Sequence, residues 1–286
     1  MPSEINSQTN LYGIFGNPVH HSLSPAMHNA LFQKFKINAA YLAFKIEPQS
    51  LGLAFEAMRS LGLRGVNVTV PFKEETLDYI DEIPEDLDRC IGALNTVVNR
   101  DGKLLGYNTD VQGFLFSLKE DLKFNPDAKT ILVIGAGGAA RAVCFSLAYA
   151  HADKIWIYNR TPERAEGLKG HLQTHFPETQ MATVHSPDDL KDERIDLVVN
   201  ASSCGMRSQD PLAFNLKILK NKPCVYDLIY SPSETHFLRE AKSLGLSSSN
   251  GLGMLAAQGA ASFGLWTGEK NAVRETMLEV LKKCQL

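Results

Sequence analysis

The stretch Thr130-Ile131-Leu132-Val133-Ile134-Gly135-Ala136-Gly137-Gly138-Ala139-Ala140-Arg141-Ala142-Val143 constrains this chain more than any other. Its run of β-branched and apolar residues reads as a buried parallel strand. A glycine turn ends the run, and an alanine-rich helical pattern follows at once. The glycines fit G-x-G-x-x-A, a permitted form of the dinucleotide fingerprint. Gly135 would allow the tight turn, Gly137 would let the backbone approach a pyrophosphate, and Ala140 would keep the helix close to the strand. The helix N-terminus then offers unpaired N–H groups and a partial positive charge to phosphates. An ordinary βα turn is the plainer alternative, but the strand before and the helix after are what a nucleotide site requires.

The next strand of such a unit is Lys154 to Tyr158, and it runs into Asn159-Arg160-Thr161-Pro162-Glu163-Arg164. An NAD-binding unit usually places Asp or Glu here, roughly 20 residues past the glycines, to bond the ribose 2′-hydroxyl. This chain has Arg160 instead, with Arg164 one helical turn on. Arginine suits a 2′-phosphate through forked hydrogen bonds. A pair of surface arginines is the alternative, yet two cations in a first turn would oppose the helix dipole.

With 286 residues the chain has room for two domains or one large one, and a substantial core. Its formal net charge of −3 gives no electrostatic case for nucleic acid or an anionic membrane surface. Met1 to Asn10 is polar, so no signal peptide is expected, and no apolar run approaches membrane-spanning length. Cys90, Cys144, Cys204, Cys224 and Cys284 are scattered without a C-x-x-C pair. That spacing favours reduced thiols, a cytoplasmic setting and no metal site. Cys144 and Cys224 lie in apolar runs and are expected in the core.

Before the nucleotide unit, Leu11 to Phe15 reads as a strand, and Ser24 as an N-cap with Pro25 at the first position of a helix over Ala26 to Phe35. Ser22 has no such structural role in this reading, so two hydroxyls beside a helix start could hold a carboxylate. His20 and His21 look like a metal or catalytic pair, but nothing with ligand spacing joins them, and solvated loop histidines are expected. Tyr41 to Ile46 is a strand and Leu51 to Leu61 an amphipathic helix. In Gly65-Val66-Asn67-Val68-Thr69-Val70-Pro71-Phe72-Lys73, the valines share one face and Asn67 and Thr69 the other, with Pro71 closing the strand. Two polar side chains at a strand end with a lysine just beyond suggest a site, against the alternative of a solvated edge strand. Helical segments follow to about Cys90, and Asn95 to Asn108 reads as a hairpin turning at Asp101-Gly102. The hairpin delivers Asn95 at its start and Tyr107 to Asp110 at its end, where Asp110 opens a helix over Val111 to Leu122.

Further strands are expected over Met181 to Val184, Ile195 to Asn200 and Cys224 to Ile229, with short helices between. Ser202 to Met206 lies where a nicotinamide ribose would pass. Helices are expected over Glu234 to Leu244, with Gly245 as the stop, over Leu255 to Leu265, carrying Gln258, and over Ala272 to Lys283. The last two extend past the nucleotide unit and are free to return to the first domain.

Together, Ser22 to Pro25, Asn67 to Lys73, Gly92 to Thr96, Gly106 to Asp110, Gly135 to Ala139, Asn159 to Thr161 and Gly251 to Gln258 resemble the shikimate dehydrogenases. The resemblance runs from about Gly13 to Gly268 and rests on seven ordered motifs, far more specific than one glycine loop. It implies an α/β fold. An N-terminal α/β substrate domain, 1–110 completed by 252–286, would accompany a Rossmann NADP-binding domain, 111–251, with the active site in the cleft between them. It implies reversible NADPH-dependent reduction of 3-dehydroshikimate to shikimate in chorismate and aromatic amino-acid synthesis. By this likeness Lys73 and Asp110 are catalytic, the aspartate holding the lysine and favouring its charged form. Ser22 and Ser24 would bind the substrate carboxylate. Asn67, Thr69, Lys73, Asn95, Asp110 and Gln258 would bind the rest of the substrate, with Tyr230 near it. Gly135, Ala136, Gly137, Gly138, Ala139, Asn159, Arg160, Thr161, Arg164, Leu228, Gly251 and Met254 would bind NADP(H). Expected partners are the small-molecule substrate and no nucleic acid or membrane, with a homodimer left open.

One motif departs from the family pattern: Asn200-Ala201-Ser202-Ser203 stands where Asn-Ala-Thr-Ser is usual, a loss of one methyl group. A related subgroup oxidises quinate and often accepts NAD, but Arg160 and Thr161 place this chain nearer the NADP-preferring group. The alternative from another class is a non-catalytic NADP-binding regulator, against which intact Lys73 and Asp110 argue.

Overall fold

The computed structural model describes residues 5–271 and 273–284. Met1 to Glu4 of the polar start, and Ala272, the expected first residue of the last helix, lie outside the described residues. The described residues form eleven strands and nine α-helices, in two compact units: 1–109 with 256–286, and 110–255.

The first unit opens with β1 (Asn10–Gly16), α1 (Ser24–Lys34), β2 (Ala39–Lys45), α2 (Leu51–Ser60) and β3 (Gly65–Val68). A short helix α3 (Asp86–Ile91) and the hairpin β4 (Thr96–Arg100) and β5 (Lys103–Tyr107) follow. The sheet order is β2-β1-β3-β4-β5, parallel around β1 and antiparallel from β3 onward. The hairpin turns at Asp101 (φ +53°) and Gly102 (φ +92°), two left-handed residues in a row, as the Asp-Gly pair requires.

β3 is an interior strand, not a solvated edge, and all four of its residues are buried. It ends at Val68, short of Pro71. Val68 N–H still reaches Asn95 O at 2.8 Å, but the next bonds run to β1 and its extension, Thr69 N–H to Phe15 O at 2.9 Å and Asn17 N–H to Val70 O at 3.0 Å. Val70 has left the valine face and is exposed. Phe72 then enters the core with Phe15, Phe55, Val66 and Val68, a burial worth roughly 1.5–3 kcal/mol for a side chain of this size.

The second unit carries α4 (Asp110–Asp121), β6 (Thr130–Ile134), α5 (Gly138–Tyr149), β7 (Lys154–Tyr158), α6 (Pro162–Gln173) and β8 (Gln180–Val184). It continues with β9 (Leu197–Asn200), β10 (Cys224–Asp227), α7 (His236–Ser243) and β11 (Ser248–Asn250). The strands order as β11-β10-β9-β6-β7-β8, every pairing parallel. Counted from β6, this is the 3-2-1-4-5-6 order of the doubly wound dinucleotide fold, and the order reverses between β6 and β9. The expected short helices around β9 are 3₁₀ turns, Pro187–Leu190 and Leu216–Ile218. Cys144 is buried as expected, whereas Cys224, at the start of β10, is only half-buried.

The chain ends in α8 (Leu252–Thr267) and α9 (Val273–Cys284). α8 starts three residues before its expected position. From residue 256 onward these helices belong to the first unit, where α9 packs on α1 and Trp266 Nε1 donates to Val97 O at 3.1 Å.

Candidate functional site

The glycine turn sits at the carboxyl end of β6. Gly135 has φ +116°, and a Cβ there would stand 2.9 Å from Ala201 O, so the position requires glycine on both counts. Gly137 is the N-cap of α5, and nothing lies within 4 Å of where its Cβ would be. The protein leaves that space clear, which is what a pyrophosphate lying against the backbone needs. α5 has neither a side-chain cap nor an acidic residue in its first turn, so the helix itself leaves its N-terminal field to a ligand. Ala140 is fully buried and brings the helix onto the sheet.

Asn159 follows β7 and bonds the turn with Nδ2 to Thr161 O at 2.8 Å. Thr161 is the N-cap of α6, so Arg160 precedes the helix and only Arg164 lies in its first turn, beside Glu163. The expectation of two cations in one turn is corrected accordingly, and the dipole argument applies to Arg164 alone. Both arginines are exposed and neither has an ion pair among the described residues. No acidic residue stands at the end of β7. This donor set fits NADP(H): free helix N–H groups for the pyrophosphate and two cations for a 2′-phosphate. Leu228 and Gly251 also come together, since a Cβ on Gly251 would overlap Leu228 O at 2.0 Å. Met254, the remaining residue of that group, is buried in the first turn of α8.

In the first unit, Asn67, Asn95 and Gln258 join one buried polar network. Asn95 Nδ2 donates to Thr109 Oγ1 at 3.0 Å and to Gln258 Oε1 at 3.3 Å, while Asn95 Oδ1 accepts from Thr109 N–H at 2.8 Å. Ser262, one turn beyond Gln258, bonds Thr96 at 2.8 Å and Thr109 at 3.1 Å. Asn67 reaches the same group, donating to Ser262 Oγ at 3.0 Å and accepting from Tyr41 OH at 2.8 Å. Asn67 is therefore enclosed by protein partners, whereas Gln258 is half-exposed. Thr96, Thr109 and Ser262 were not singled out from the sequence. The first two lie inside quoted motifs, and Ser262 stands four residues after Gln258, on the same helical face.

Lys73 follows the buried Phe72 and is half-buried; its carbonyl accepts from Leu94 N–H at 2.8 Å, tying it to the segment that delivers Asn95. Thr69 is half-buried, its methyl against Gly16. The Ser22 and Ser24 reading changes. The helix begins at Ser24 with Leu23 as the cap, and Ser22 Oγ accepts from Ser24 N–H at 3.2 Å. Ser24 is thus not the cap, and Ser22 has a local structural role instead: its hydroxyl closes a turn onto the N–H two residues on, at the helix start. Asp110 is buried at the start of α4, and burial pushes the Tyr230 phenol up. His20 and His21 are exposed and stack edge to face, with no metal-ligating cluster among the described residues.

A second polar group was missed entirely. Asp227, fully buried at the end of β10, accepts from Thr235 Oγ1 at 2.6 Å, Asn200 Nδ2 at 3.0 Å and Ile229 N–H at 3.1 Å. Burial pushes its carboxyl up to about 6, against the pull of those three bonds. An acid closing an apolar strand was the available signal.

The fold and these groups define an α/β protein of the dinucleotide-binding class, with a second unit whose polar side chains gather in one network. Residues 14–97 match the shikimate dehydrogenase substrate binding domain, 118–204 the shikimate / quinate 5-dehydrogenase family, and 251–282 the shikimate 5′-dehydrogenase C-terminal domain. A shikimate dehydrogenase (NADP(+)) of Desulforamulus reducens is 44% identical over 98% of this chain and 97% of its own. The Aquifex aeolicus shikimate dehydrogenase structure has 43% identity and a TM-score of 0.86, covering 96% and 99% of the two chains. The Thermus thermophilus enzyme, solved with NADP(H) and shikimate, has 35% identity and a TM-score of 0.84, covering 96% and 99%. The chain belongs to the shikimate dehydrogenase family.

Proposed function

We infer that this chain catalyses the reversible NADPH-dependent reduction of 3-dehydroshikimate to shikimate. The observation that carries the reading is the side-chain cluster of Asn95 and Gln258, in a chain that aligns over almost its whole length with NADP-dependent relatives. Amides held by neighbours on one side can meet ring hydroxyls on the other, as a polyhydroxylated ring demands. Ser22 and Ser24 hold the substrate carboxylate, Thr69 joins Asn95 and Gln258 on the ring, and Tyr230 lies near it. Asn67 supports this group from the interior.

The cofactor supplies hydride. Gly135 to Ala139 and the start of α5 hold its pyrophosphate, Asn159, Arg160, Thr161 and Arg164 its adenosine end, and Leu228, Gly251 and Met254 flank it. Lys73 moves the proton at the reacting oxygen: it donates during reduction and accepts during oxidation. Asp110 is the second catalytic residue. A cytoplasmic setting agrees with the cysteines, none of which is in a disulfide among the described residues. The oligomeric state, monomer or homodimer, is open to a light-scattering measurement.

The test is one assay panel, shikimate and quinate each with NADP and NAD. Turnover is expected to be greatest with shikimate and NADP. No turnover with any pair would overturn the reading in favour of a binding protein, and equal use of quinate and NAD would replace it with a broader dehydrogenase.

A further inference from the structure

Asn200 and Asp227 end adjacent strands, β9 and β10, and both side chains are fully buried. The Asp227 carboxylate holds Asn200 Nδ2 and Thr235 Oγ1 from opposite sides. Asn200 passes the constraint on. Its Oδ1 accepts from Ser202 N–H at 3.1 Å and Ser202 Oγ at 2.7 Å, and its Nδ2 also donates to Cys204 O at 3.1 Å. Ser202 Oγ closes the turn by accepting from Cys204 N–H at 3.1 Å. Thr235 is spent as well, capping α7 by accepting from Leu238 N–H at 3.2 Å.

The segment built this way leans on the glycine turn. The missing Cβ of Gly135 would lie 2.9 Å from Ala201 O and 3.1 Å from Ser202 N. Burial and the Asp210 carboxylate raise the Cys204 thiol, and the Arg160 guanidinium pulls it part of the way back down. One carboxylate therefore fixes the loops after β9 and β10 and, through residues 200–202, the wall against the Gly135 turn. The loop after β9 and the Gly135 turn after β6 flank the point where strand order reverses, the place where open α/β sheets take their ligands.

We propose that Asp227 is a positioning residue for the dinucleotide: without contacting it, Asp227 shapes the 200–205 loop that faces the glycine turn. The proposal rests on the NADP reading above. The carboxylate holds Asn200, whose own bonds hold Ser202 and Cys204, and restraint of a loop before binding lowers the ordering cost at binding.

The experiment measures NADP+ and shikimate affinity by calorimetry, with Tm, for wild type, Asp227→Asn, Asp227→Ala and Thr235→Val. Asp227→Asn keeps size and one acceptor oxygen and should weaken NADP+ several-fold. Asp227→Ala should weaken it ten- to a hundredfold, and Thr235→Val should fall between. Shikimate affinity should fall clearly less than NADP+ affinity in every variant that folds, the residual effect passing through Ile229 to the neighbouring Tyr230. In turnover, KM for NADP should rise more than KM for shikimate. If Asp227→Ala does not fold, Asp227→Asn and Thr235→Val carry the test. Unchanged NADP+ affinity in these variants, or equal losses for both ligands in step with Tm, would overturn the proposal. Absence of NADP+ binding in wild type would instead overturn the functional reading on which it rests.

Discussion

Asn95 and Gln258, 163 residues apart in the chain, meet through a hydrogen bond of 3.3 Å from Asn95 Nδ2 to Gln258 Oε1. The direction is set from behind. Asn95 Oδ1 is occupied by Thr109 N–H and by Thr96 Oγ1, at 2.8 and 3.0 Å, so its amide N–H₂ must face Thr109 and Gln258. Holding the Gln258 carbonyl fixes the opposite edge of that amide, its N–H₂, and such pre-orientation is what a ligand-binding side chain needs.

Gln258→Leu removes this amide while keeping the helix former. The side chain is half-exposed, so stability should change little. KM for shikimate should rise five- to tenfold, the equivalent of about 1 kcal/mol for a neutral hydrogen bond. Steady-state kinetics beside a melting curve checks it, and a lower Tm with unaltered KM would contradict the assignment.

Lys73→Ala should act on kcat. Removing a positioned acid/base group lowers rate by roughly 10²–10⁴-fold. KM for shikimate should shift far less, because the remaining polar groups still hold the ring. A variant that keeps near-wild-type kcat would sink the proposal.

The two serines now separate. Ser22→Ala deletes the acceptor for Ser24 N–H, and a neutral hydrogen bond contributes about 0.5–1.5 kcal/mol. Ser22→Ala should therefore lower Tm and raise KM for shikimate together, whereas Ser24→Ala should raise KM with little change in Tm. Identical melting of the two variants would show that the Ser22 turn bond contributes nothing.

What could be read in advance was local. The apolar run into Gly135, and the Asp101-Gly102 turn, are signals in which neighbours in sequence decide the structure. The end of β7 before Arg160 was legible in its apolar run, but the start of α6 was not: Thr161 is the cap, so Arg160 precedes the helix that carries Arg164. Asn67 misled, since alternation shows that it shares a face with Thr69 but not that Tyr41 and Ser262 enclose it. The Asp227 group depends on strand order, which no periodicity encodes. β11, three polar residues added to the sheet edge, has no apolar pattern to reveal it.

His28 gives a pH dependence. It is fully buried and stacked on Tyr41 at 4.5 Å, with neither ring nitrogen hydrogen-bonded among the described residues. Burial pushes its imidazole down to about 3 from the ordinary 6.5. Between those values the unfolded chain binds a proton that the folded chain does not, so stability falls as pH drops below 6.5 and stops falling near 3. The slope contributed is at most about 1.4 kcal/mol per pH unit. His28→Phe keeps a planar ring and abolishes that contribution. Its loss of unfolding free energy from pH 7 to pH 5 should be smaller than that of wild type, and equal losses would refute the assignment.

Cofactor choice tests the residues after β7. Arg160 precedes α6 and Arg164 lies in its first turn, both exposed and without ion pairs among the described residues. A 2′-phosphate would accept charged hydrogen bonds from both, each worth roughly 1.5–3 kcal/mol, and tenfold in affinity is about 1.4 kcal/mol. The pair should favour NADP over NAD by about two to four orders of magnitude, less the screening that salt imposes at an open site. Arg160→Ala with Arg164→Ala should weaken NADP strongly and NAD little, because NAD lacks the phosphate. Arg160→Asp should go further by repelling the phosphate while offering a partner to the ribose 2′-hydroxyl, so NADP use falls and NAD use rises. The preference should also shrink as salt rises, since two exposed cations are screened within about 10 Å at 0.1 M. The decisive comparison is kcat/KM for both cofactors in wild type and the double variant. Wild-type use of NAD equal to NADP, or equal loss of both in the variant, would make the arginines surface residues and leave the Gly135 turn to hold the cofactor without a 2′-phosphate clamp.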